Sequence, residues 1–101
     1  MRMLVFFDLP MQTQHDLADY RKFRKFLLGN GFIMMQKSVY SKLVLNNNST
    51  KLLRIQIEKN LPKNGLIQLM QVTEKQFNDI DYLIGKPQTK VLDSFDRVVE
   101  L

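Results

Sequence analysis

The chain has 101 residues and no cysteine, so its interior suffices for one core, and disulfide frameworks, thiolate metal sites and cysteine nucleophiles are excluded. Hydrophobic residues make up 45% against 25% charged, enough apolar surface to offset the entropy of ordering, which excludes a disordered chain. The net charge of +5 is uneven: residues 1–63 carry 11 Lys and Arg against 4 acids (+7), and residues 64–101 carry 4 against 6 (−2).

In chain order, Met1 to Leu9 is almost wholly apolar and is bounded by Pro10, the composition of a central strand buried on both faces. Its apolar run, Met3 to Phe7, ends at Asp8 and is too short for a signal-peptide core or a membrane span, so a cytoplasmic protein with no membrane contact is expected. From Gln12 to Gly31 the period changes: Leu17, Tyr20, Phe23 and Leu27 recur three and four apart, with Asn30 and Gly31 as the stop, which predicts a helix with one apolar face. Phe32 to Leu45 returns to strand composition, and Gln36, Lys37 and Ser38 break it into a hairpin. The run Asn46 to Thr50 reads as a polar turn whose Asn or Ser caps a second helix over Lys51 to Asn60.

After a turn at Pro62 to Gly65, Leu66 to Val72 alternates as a strand, and Thr73 opens a short helical turn through Ile80. Tyr82 to Ile84 has the composition of a small strand, and Arg97 to Leu101 forms a terminal one that needs a sheet to join. The order strand, helix, strand, strand, helix, strand is the α+β ferredoxin-like βαββαβ sandwich. It assigns residues 1–85 to the domain and 86–101 to a C-terminal segment with a short strand able to pair with a partner subunit. That fold hosts unrelated functions, so the chemistry must be argued from side chains.

Asp8 stands at the end of the first strand. An acid there commonly tightens the following turn through its own backbone; alternatively it is a hard-metal ligand. Magnesium takes oxygen ligands and keeps several waters, so one carboxylate per chain suffices only where a two-fold dimer brings two copies together. Tyr20 to Phe26 packs four cations and three aromatics into seven residues. At 100° per residue Arg21, Lys22 and Lys25 share an arc opposite Tyr20, Phe23 and Leu27, which is either a solvated helix face or a stripe that tracks phosphates. Arg24 lies nearer the apolar arc and is expected to make a structural ion pair or to pack its stem, and Phe26 points away from that arc as if toward a partner.

Lys37 and Lys42 in the hairpin could touch a phosphate or simply protect strand edges. His15, the only histidine, is given no catalytic role. Glycine-rich phosphate loops, HExxH helices and nucleophile elbows are absent from the sequence. An RNA-recognition sheet that stacks bases is disfavoured, because Val39 to Leu45 lacks the Gly and the paired aromatics it needs.

Several segments in register are more specific than any one of these features. Met3 to Pro10, Tyr20 to Leu28, Gly31 to Met34, Gln36 to Tyr40 and Val72 to Phe77 together resemble the second CRISPR-associated protein family, in the version found in type II systems. The resemblance implies a ferredoxin-like homodimer that sits between dimers of the CRISPR adaptation integrase and holds a short double-stranded DNA awaiting insertion into the repeat array. It also implies an alternative activity, a Mg2+-dependent endonuclease acting on RNA or double-stranded DNA, with Asp8 of each subunit binding the metal at the dimer axis.

Overall fold

The computed structural model describes residues 1–87. Seven elements follow one another: β1 (Arg2–Asp8), α1 (Gln14–Gly29), β2 (Ile33–Gln36), β3 (Val39–Leu43), α2 (Asn47–Glu58), β4 (Leu66–Val72) and α3 (Glu74–Asn78). The four strands form one antiparallel sheet in the order β2-β3-β1-β4, the ferredoxin-like arrangement expected from the element order. Arg97 to Leu101 lies outside the described residues. Tyr82 to Ile84, expected as a small strand, is not one: it joins no ladder of the sheet, and Leu83 and Ile84 stand 92% and 95% exposed beyond α3.

Local chemistry sets the helix ends. Thr13 caps α1 in extended conformation, accepting from the Asp16 N–H at 3.0 Å, while Asp16 Oδ2 accepts from the Gln12 and Thr13 N–H groups at 3.2 Å. At the other end Asn30 is the cap and Gly31 follows at φ +89°, where any side chain would be strained. α2 begins four residues before its expected start, because Asn46 rather than a later Asn or Ser is the cap: its side chain accepts from the Ser49 N–H at 2.9 Å. The asparagine run thus forms the first helical turn instead of a loop. Thr73 repeats the capping-box device at α3.

Strand alternation sends Met3, Val5 and Phe7 of β1 to one side, where they meet Phe23 and Leu27 of α1 and Leu53 and Ile57 of α2. Phe7 sits among Tyr20, Phe23 and Tyr40 at ring separations of 5.9, 5.4 and 5.5 Å, and pairs of this kind contribute about 0.5 to 1.5 kcal/mol each beyond area burial. Phe26, expected to face a partner, instead stacks on Phe23 at 6.4 Å and packs against this core. The apolar arc of α1 is wider than the three and four spacing of Tyr20, Phe23 and Leu27 implied, because Phe26 and Leu28 beside it also pack against the core.

Tyr40 is fully buried, yet its hydroxyl has no hydrogen-bond partner among the described residues. An unsatisfied buried hydroxyl costs about 1 to 3 kcal/mol. Tyr40→Phe is therefore expected to raise stability by about 1 kcal/mol in urea unfolding; a loss of stability would mean that the hydroxyl is satisfied after all.

Candidate nucleic-acid interface and acidic site

The sheet has two unlike faces. Residues directly opposite across strands share a face, so Arg2, Leu4, Phe6 and Asp8 of β1 lie with Leu43, Ser41 and Val39 of β3 and with Val72, Met70, Gln68 and Leu66 of β4. Among the described residues, α1 and α2 leave this side uncovered. α3 closes only its Arg2 end, where the Arg2 guanidinium donates to Glu74 at 2.9 Å and lies 4.4 Å from the Phe77 ring centroid. Elsewhere the face is largely apolar, with Leu43, Met70 and Leu66 between 50% and 55% exposed and Leu4 and Ser41 buried.

Asp8 sits on the rim of that face. It pairs with Leu66, the first residue of β4, and the N–H of neighbouring Phe7 donates to Ser38 O at 3.0 Å. The end of β1, the β2–β3 turn and the start of β4 therefore converge. Gly65 closes this end tightly at φ +106°: a Cβ there would fall 2.8 Å from the Asp8 carbonyl oxygen and 2.6 Å from a Leu9 methyl. The Asp8 carboxylate itself is exposed and takes no hydrogen bond or ion pair among the described residues, while Thr13 and Asp16 serve the turn that follows. That favours a carboxylate available to a ligand over one that only shapes a turn. Among the described residues no three His, Cys, Asp or Glu side chains come together as a metal site. The donor chemistry suits Mg2+ only in part: one hard oxygen ligand per chain, with the remainder left to water and a second copy.

The nominated cations divide. Arg21, Lys22 and Lys25 are exposed on the outward arc of α1, Lys37 is exposed on the β2–β3 turn, and none of the four has an acidic partner among the described residues. Tyr20 steadies that turn by donating its hydroxyl to Lys37 O at 3.4 Å. Lys42 stands apart from them: its stem lies over Gly31 and its ammonium donates to Asn30 O, so it closes the end of α1. Arg24, expected to form an ion pair or to pack its stem, is exposed and forms no ion pair among the described residues.

Sequence reasoning missed two cations. Lys59 at the end of α2 and Lys63 in the turn to β4 face Lys22, His15 and Asp19 of α1 across a crevice of about 210 Å³. They stand about forty positions from Lys22, so no local pattern links them; the only signal is that they bracket the Pro62 turn.

The family model described as CRISPR associated protein Cas2 matches residues 1–80. The chain belongs to the Cas2 family. Curated relatives include the CRISPR-associated endoribonuclease Cas2 of Treponema denticola, 48% identical over the whole of both chains. Another is the protein of the same name from Streptococcus mutans serotype c, 50% identical over all of this chain and 93% of the relative. Among solved structures, Streptococcus pyogenes Cas2 at pH 6.5 aligns with a TM-score of 0.64 at 17% identity, covering 82% of this chain and 99% of that one, a likeness of fold. Among the described residues of this Cas2-family chain, no helix is long and apolar enough to cross a membrane.

Proposed function

We propose that this Cas2-family chain acts in CRISPR spacer acquisition as a homodimer that holds double-stranded DNA and bridges dimers of the adaptation integrase. The observation that carries the reading is the division of its surface: an open apolar sheet face on one side, and unpaired cations on the helical side. An exposed apolar face of this kind calls for a partner, and a second copy related by a two-fold axis would cover both open faces at once. The unpaired cations Arg21, Lys22, Lys25 and Lys37 then stand on the outside of the dimer, where they neutralise backbone phosphates without reading sequence. The bridging role rests on family membership.

A second reading is favoured by Asp8. Relatives carry the name endoribonuclease, and a two-fold axis near the end of β1 would bring two exposed Asp8 carboxylates within reach of one Mg2+. When bound, the ion supplies the charge that polarises a phosphodiester and acidifies a water. The protein's part is to hold the two carboxylates on rigid strand ends and to present the substrate's backbone to them, whether RNA or double-stranded DNA.

Met70→Lys tests the first reading. Met70 is 54% exposed in the protomer, so its replacement leaves the protomer folded, yet in a face-to-face dimer it would bury an unpaired ammonium from each subunit. Wild type is expected to elute as a dimer and to stimulate integration of a short duplex by the cognate integrase, and Met70→Lys to be monomeric and inactive in that assay. A monomeric variant that stimulates equally, or a wild type that does not stimulate, overturns the proposal.

A further inference from the structure

We propose that the crevice between α1 and the α2–β4 turn is a seat for backbone phosphates of duplex DNA, with Lys22, Lys59 and Lys63 as its contacts. The proposal rests on the DNA-holding reading and adds to it where the backbone sits. Three ammonium groups line one space of about 210 Å³. Like charges so arranged repel one another, and a neighbouring acid would ordinarily offset this. Among the described residues the one acid on the crevice, Asp19, is turned to His15 at 3.5 Å, and none of the three lysines has an ion pair. The crevice therefore carries unneutralised positive charge that a phosphate group would relieve.

The chemistry of its walls selects the class of ligand. Among the described residues no aromatic side chain lines it, so they offer nothing for an unpaired base to stack on, as single-strand binders require. Lysines act as point charges without the planar fork that recognises base edges, so the contact is to backbone and indifferent to sequence. A duplex, which turns phosphates outward and bases inward, fits these walls. The position also has a consequence for the acidic site. The α2–β4 turn that carries Lys63 ends at Gly65, against the backbone of Asp8, so the seat and Asp8 lie at the same end of the sheet.

The test is the salt dependence of duplex binding by the intact protein, read as the slope of log affinity against log salt. Wild type would be compared with the pair Lys59→Ala and Lys63→Ala and with the pair Arg21→Ala and Lys25→Ala. All four side chains are exposed, so both variants are expected to fold, which unfolding midpoints equal to wild type would verify. Loss of two phosphate contacts should shrink the slope by about 1.8 for each protomer that touches the duplex. An unchanged slope in Lys59→Ala/Lys63→Ala overturns the seat. If Arg21→Ala/Lys25→Ala lowers the slope at the same time, the DNA-holding reading survives without it. A wild type that binds no duplex overturns both. A single strand of equal length that binds more tightly, and that loses affinity in Lys59→Ala/Lys63→Ala, overturns the assignment to duplex.

Discussion

Asp8→Ala should abolish metal-dependent phosphodiester hydrolysis, with a loss of more than about 100-fold, since replacing even a group that merely supports a metal ligand costs 10- to 100-fold. The same change should leave the fold untouched. The carboxylate is exposed and makes no hydrogen bond or ion pair among the described residues, and substitutions at such positions usually stay within about 0.5 kcal/mol. The measurement is cleavage of RNA and of duplex DNA with Mg2+ and with chelator, alongside urea unfolding and dimer mass for both proteins. Cleavage that persists in the variant would assign the activity to another group or to a contaminating nuclease, and the acidic-site reading would fall. Integration measured on the same two proteins separates the roles. Equal stimulation means that the dimer serves as a scaffold whose carboxylate is dispensable, whereas stimulation by wild type alone draws Asp8 into adaptation.

Gly65→Ala should be the costlier change for stability, lowering it by about 2 to 5 kcal/mol. At φ +106° a side chain is strained by about 1 to 2 kcal/mol. Forcing a methyl into an already filled space adds about 1 to 3 kcal/mol. The added Cβ would lie 2.8 Å from the Asp8 carbonyl and 3.2 Å from Leu9 Cα, both of them backbone, so relief cannot come from a side-chain rotation alone. The turn or the end of β1 must move. Urea unfolding would give the loss, and hydrolysis or duplex binding by the surviving folded fraction would report any displacement of Asp8 or Lys63. A loss under about 1 kcal/mol would mean that the turn can shift freely, and that it does not hold the end of β1 in place.

These effects show which parts of the site were legible beforehand. Asp8 was, because a charged residue closing an apolar run at a strand end is visible in the linear order, and so was the outward arc of Arg21, Lys22 and Lys25, because helical periodicity fixes which residues share a face. Lys42 was not distinguishable from Lys37: both lie in the hairpin, and only the return of β3 beside the end of α1 brings one ammonium to Asn30 O. Phe26 misled because periodicity marks the middle of a helix's apolar arc and leaves out how wide an arc the rest of the core covers. The start of α2 shifted for a similar reason. Several residues of the run Asn46 to Thr50 could cap, and the backbone geometry selected Asn46.

By itself, then, the sequence determined the order of strands and helices, the ferredoxin-like class and the family, since caps, turn residues and hydrophobic period act over a few positions and are written there directly. Only the tertiary structure decided which sheet face stays open, which cations stand unpaired and that Lys59 and Lys63 meet Lys22. Those are properties of surfaces made when α1 and α2 pack on one side of the sheet, and they depend on neighbours in space that are distant along the chain.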